Sequence, residues 1–176
     1  MNEGTSLASK VPITNSGGQI PVIGYGVYQI DQSHCTNACL MALSAGYRQI
    51  DTAQIYHNEA EVGEALKQCG IPREEIFVTT KIRYPRLGKG NTYKRALQSV
   101  QKIDSKEEGY VDLFLIHSPY GINKKDRKDL WMALEKLHGD GKAKAIGVSN
   151  YKPEHIEEMR EYATIWPPHV NQIQVR

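Results

Sequence analysis

Cysteine is scarce in this 176-residue chain, which holds three. Cys35 and Cys39 lie four apart, and His34 is the only nearby candidate ligand, so no metal module of C-x2-C spacing is present. The plainer expectation is three thiols on buried helix faces in a reducing compartment. Net charge is also small: +2, with acidic and basic residues interspersed. That leaves no electrostatic case for a nucleic-acid or membrane partner. No apolar run approaches the ~18 residues of a membrane helix; Val111–Ile116 is interrupted by Asp112. The opening residues, MNEGTSLASK, lack the apolar core of a signal peptide, which predicts a cytoplasmic protein.

At 40% hydrophobic and 24% charged residues, the chain can build a core. Its length predicts one domain over residues 1–176, with 1–12 disordered. Short apolar or β-branched runs recur at 20–30, 48–53, 76–82, 111–117, 143–150 and 170–175. Segments of helical periodicity lie between them. Cys35, Ala38, Cys39, Ala42 and Leu43 share a face that Gly46 can end. Val62, Ala65, Leu66 and Cys69 form the next, with Asn58 as N-cap, Glu61 as its partner and Gly70 at the end. Tyr93 to Val100 and Leu130 to Leu137 supply two more. A fifth helix starts at Pro153 and runs through Ile156 and Met159 to Ala163. The ~25–35-residue spacing of strands is that of a βα unit, so a parallel α/β sheet is predicted. The stretch 13–23, centred on Asn15-Ser16-Gly17-Gly18, reads as an N-terminal β-hairpin.

A doubly wound nucleotide fold needs G-x-G-x-x-G after its first strand. Gly24-Tyr25-Gly26 begins that string, but Gln29 breaks it. A (β/α)8 barrel instead gathers polar residues at the C-terminal ends of its strands. Asp51, Lys81, His117, Ser149-Asn150 and Gln172 occupy those positions. Side chains from neighbouring strand ends, ~5 Å apart, can share one pocket, and Tyr56 follows Asp51 just before a helix.

The four residues Asp51, Tyr56, Lys81 and His117 suit proton delivery to an oxygen while something else supplies hydride to carbon. A tyrosine, with its reference pKa of ~10, is a weak acid near neutrality. The Lys81 ammonium is expected to lower that pKa, Asp51 to keep the lysine charged, and His117 to orient a carbonyl oxygen. Singly, each has a plainer role in turns, packing or surface charge; the joint pattern across consecutive strands does not. Gly147-Val148-Ser149 begins a nucleophile elbow, but Tyr151 stands where glycine is required. Lys81 as a Schiff-base nucleophile, giving a lyase, is the stronger alternative.

The strings GYGVYQI, YRQIDTAQIYHNEAEVGEAL, IFVTTKI, YVDLFLIHSP, KAIGVSNY and VNQIQ closely resemble the aldo-keto reductases, from about residue 12 to 174. The resemblance implies a (β/α)8 barrel that reduces an aldehyde or ketone to an alcohol with NADPH, less often NADH. It implies Tyr56 as proton donor, Asp51 and Lys81 as its tuning pair, and His117 as the group that orients substrate. Ser149, Asn150 and Gln172 match residues that hold the nicotinamide carboxamide, and Asp51 borders the same cofactor site. Gly26 and Val27 match a loop near the cofactor, and Tyr28 a lining of the substrate pocket. The family pattern continues beyond Arg176 for two strands and a C-terminal loop, so about six of eight βα units are expected. The open first and sixth strands would then invite self-association. A non-catalytic cofactor-binding or regulatory role is the other reading. Residues 101–110 are longer and more polar than the family's tight turn.

Overall fold

The computed structural model describes residues 7, 9–85 and 90–175. Strands β1 (Lys10–Pro12) and β2 (Gln19–Pro21) form an antiparallel hairpin. Its turn uses the left-handed conformation at Asn15 and Gly17, and the Gly18 N–H donates to Ser16 Oγ. The hairpin therefore starts earlier than the turn residues alone predict. Within the stretch 1–12 expected to be disordered, Lys10–Pro12 form β1; residues 1–6 and 8 lie outside the described residues.

A six-stranded parallel sheet follows in chain order: β3 (Tyr25–Gly26), β4 (Gln49–Asp51), β5 (Phe77–Ile82), β6 (Val111–Ile116), β7 (Ala143–Ser149) and β8 (Val170–Gln172). The predicted first strand over 20–30 is two elements, β2 and the two-residue β3. Between them runs Val22–Gly24, and Gly24 lies so close to Gln49 that an added Cβ would come within 2.7 Å of its side chain. Helices α1 (Gln32–Ser44), α2 (Glu59–Gln68), α3 (Asn91–Ile103), α4 (Lys124–Gly139) and α5 (Pro153–Met159) alternate with the strands. The fifth helix ends at Met159 and continues as a turn, short of Ala163. Six βα-type strands joined in order, without closure among the described residues, make the expected partial (β/α)8 barrel.

Strand alternation sorts the apolar residues into two cores. Val78, Ile82, Phe114, Ile116, Ile146 and Val148 face the helices and join the large core with Leu43, Val62, Val100 and Trp131. Phe77, Leu113, Leu115 and Ala145 face inward, where Ile13 of the hairpin packs on them. The hairpin thus closes the end of the sheet where β5 begins. The opposite end is left for the polar residues. Asp112 does not break β6, because its carboxylate accepts from the Val78 N–H at 3.0 Å and pairs with Arg73 at 2.9 Å.

Helices α2 and α3 meet at Gly63, where a Cβ would lie 2.3 Å from the Lys102 carbonyl oxygen. Gly63→Ala should gain the ~1 kcal/mol of helix propensity and lose more to this backbone clash, for a net destabilisation of about 1–3 kcal/mol. Gly139→Ala, with nothing within 4 Å of the added carbon, should be neutral or slightly stabilising. Urea unfolding of both variants measures the contrast; equal midpoints would disprove the close contact.

Candidate active site

The inward positions of β4, β5 and β7 end in Asp51, Lys81 and Ser149, and His117 follows β6. The Lys81 side chain is only 3% exposed and pairs with an Asp51 carboxylate oxygen. Its ammonium also donates to the Thr52 carbonyl at 3.1 Å. The other Asp51 oxygen accepts from Gln172 Nε2 at 3.0 Å, so one carboxylate ties β4, β5 and β8 together. Burial pulls the Lys81 pKa below the ordinary lysine value, and Asp51 opposes that pull. An ammonium held by two acceptors suits a fixed charge better than a free amine nucleophile.

Tyr56 ends a short 3-10 turn, Gln54–Tyr56, which His57 closes in the left-handed conformation at φ 60°. Its ring stands 4.9 Å from the Tyr28 ring and 5.6 Å from His117, edge-on to the latter. Lys81 Nζ lies 5.3 Å from its centroid. The expectation that Lys81 lowers the tyrosine pKa is not met. Burial, then the Asp51 charge and Tyr28, push it up to about 12. The physical reason is that burial disfavours the phenolate more than a Lys81 ammonium already paired with Asp51 favours it. Tyr56 is therefore a protonated acid at neutral pH.

His117 moves the other way. Burial, Lys81 and Arg83 hold its pKa down to about 4, against a smaller opposing effect of Asp51. The imidazole is neutral, and its buried Nδ1 has no hydrogen-bond partner among the described residues. An unsatisfied buried ring nitrogen is costly unless a guest supplies the partner.

Ser149 Oγ donates to the Gln172 carbonyl at 2.9 Å and accepts from Asn150 Nδ2 at 3.0 Å. Asn150 sits at φ 58°, and its side-chain Oδ1 accepts from the Gln174 N–H. Each amide spends one of its two N–H groups on a neighbour, which orients it and leaves one to offer. These three side chains share a cavity of about 480 Å3 with Tyr28, Asp51, Tyr56, Lys81 and His117. A cavity of about 490 Å3 beside Gly63 and Arg73 holds none of these groups.

Gly26 and Val27 do not line the catalytic cavity. Val27 is fully buried in the core that faces the helices, and its N–H donates to the Asp51 carbonyl at 3.0 Å. Asn58 also departs from its expected role, since its side chain caps nothing. Its Nδ2 donates to the Val27 and Ile30 carbonyls at 2.9 and 3.3 Å, and its Oδ1 accepts from Thr52 Oγ1 at 2.7 Å. The amide thus clamps the Tyr56 turn to the loop that carries Tyr28. With Asn58 so committed, no capping box forms with Glu61. Sequence reasoning also passed over Arg83, which lines the cavity. The signal was available: Arg83 lies two residues beyond Lys81, just past the C-terminal end of β5 where the other polar groups gather.

Fold and site together define a parallel βα-barrel protein with an acid–base pocket at the C-terminal ends of its strands. A sequence profile of the Aldo/keto reductase family matches residues 22–176, and the chain belongs to that family. It is 41% identical over 171 residues to glyoxal reductase of Bacillus subtilis, which covers 97% of this chain and 59% of that protein. Among solved structures it resembles an aldo/keto reductase from Brucella melitensis, with a TM-score of 0.83, 38% identity and coverage of 95% and 63% of the two chains. A Bombyx mori aldo-keto reductase in complex with NADP superposes with a TM-score of 0.82 at 29% identity, covering 95% of this chain and 58% of that one. The chain spans just under three fifths of the length of the curated relatives it matches first.

The buried His117 predicts a pH effect. Between about pH 6.5 and pH 4 the unfolded chain binds a proton that the folded chain excludes, so stability present above pH 6.5 is lost as pH falls through this window. The melting temperature of His117→Gln should therefore fall less than wild type between pH 7 and pH 5. Parallel curves would contradict a buried neutral imidazole.

Proposed function

We propose that the chain reduces an aldehyde or ketone to an alcohol with NADPH, NADH being the alternative donor, and that Tyr56 provides the proton. The observation that carries this reading is the convergence of Asp51, Tyr56, Lys81 and His117 on one cavity. The donor set fits a reduced nicotinamide: Ser149, Asn150 and Gln172 present a hydroxyl and two amides, matching a primary carboxamide. When bound, that cofactor supplies hydride to the carbonyl carbon.

The remaining work falls to side chains. A neutral His117 donates a hydrogen bond to the carbonyl oxygen without competing for its proton. Tyr56, held protonated, gives its proton to that oxygen as negative charge develops there. Lys81 stabilises the resulting phenolate, and Asp51 holds Lys81 in place. The Schiff-base alternative requires a neutral Lys81 released from both its acceptors.

No helix among the described residues is long and apolar enough to cross a membrane. The free thiols of Cys35, Cys39 and Cys69 fit the cytoplasm. Copies are proposed to associate along the open edges β3 and β8.

Tyr56→Phe should lower carbonyl reduction about 10²–10⁴-fold, while fluorescence titration shows NADPH binding unchanged. Full turnover in this variant would remove Tyr56 as the proton donor.

A further inference from the structure

Arg83 is a charge in the catalytic cavity to which the proposed chemistry gives no contact with the substrate. Asp51 and Lys81 cancel each other. Tyr56, with a pKa of about 12, and His117, at about 4, are both uncharged at neutral pH. The cavity's balance is therefore positive, and Arg83 supplies it. Among the described residues no carboxylate lies within ion-pair distance of this guanidinium. Its Nε donates to Tyr84 Oη at 2.9 Å, and the Tyr84 ring lies 5.4 Å from its central carbon. Those contacts steady the side chain and leave its terminal nitrogens without a hydrogen bond among the described residues.

The position of Arg83 gives the charge a direction. It borders the catalytic cavity and also an adjoining one of about 470 Å3, shared with His117, Ser118 and Tyr120. A substrate whose carbonyl oxygen meets Tyr56 and His117 would extend its substituent past His117 toward the guanidinium. A planar fork of donors in a partly desolvated pocket matches a carboxylate better than it matches an uncharged group.

We propose that Arg83 binds a carboxylate carried by the carbonyl substrate, so that the site prefers anionic aldehydes and ketones to neutral ones. This rests on the carbonyl-reductase reading above.

Binding can be tested with the alcohol products, which form no imines with surface lysines. Calorimetric titration of 4-(hydroxymethyl)benzoate and benzyl alcohol should show the anion bound at least tenfold more tightly at low salt. The preference should shrink as salt screens the charge. Arg83→Gln should bring the ratio to within about twofold of one, and Arg83→Lys should retain part of it. A wild-type ratio near one overturns the proposal. So does an Arg83→Gln variant that weakens both ligands equally, or one that keeps the ratio but loses NADPH affinity, which reassigns the guanidinium to the cofactor. The reductase reading is judged separately, by turnover of 4-formylbenzoate with NADPH in wild type and Tyr56→Phe.

Discussion

The ion pair between Asp51 and Lys81 is the contact on which the site depends. An ammonium as buried as that of Lys81 costs several kcal/mol if left unpaired. Asp51 removes that cost from the neighbouring strand, and its second oxygen reaches across the concave face to Gln172. The pair therefore sets more than the charge state of a lysine. It fixes the ends of β4, β5 and β8 relative to one another. It also makes the centre of the pocket electrically neutral, which leaves Arg83 as the unpaired charge among the described residues that line it.

Around that pair, the strands divide labour by alternation. Even-numbered positions of β5, β6 and β7, such as Val78, Phe114 and Ile146, face the helices and form the larger core. Alternate positions such as Phe77, Leu113 and Leu115 face inward, apolar where the hairpin packs on them, and polar at the other end with Lys81 and Ser149. A single residue of slip in any strand would exchange the two faces. Packing on the outside thus guards the geometry of the pocket on the inside.

Much of this was legible in the sequence because parallel strands write their polar ends in a regular place. Asp51, Lys81, His117, Ser149 and Gln172 could all be read from strand ends, and the helical faces of α1 to α4 from their periodicity. The first barrel strand was not legible: β3 forms only two ladder pairs, with Ile50 and Asp51, and its run of apolar residues continues from the hairpin. Asn58 was misread for a different reason. A residue before an acidic helix start is ordinarily a cap, but its amide found buried carbonyls at Val27 and Ile30, and only the folded chain brings those within reach.

The sequence by itself determined the alternation of strands and helices, the family, and the identities of the groups that meet in the pocket, since these follow from local pattern and spacing. The tertiary structure alone decided their electrical state. Burial and charge compensation act through space, between residues as far apart in the chain as Asp51 and Gln172. That is why Tyr56 stands above its ordinary pKa where the sequence pointed below it, and why His117 is neutral. It is also why Arg83 is, among the described residues, the cavity charge left without an opposite one.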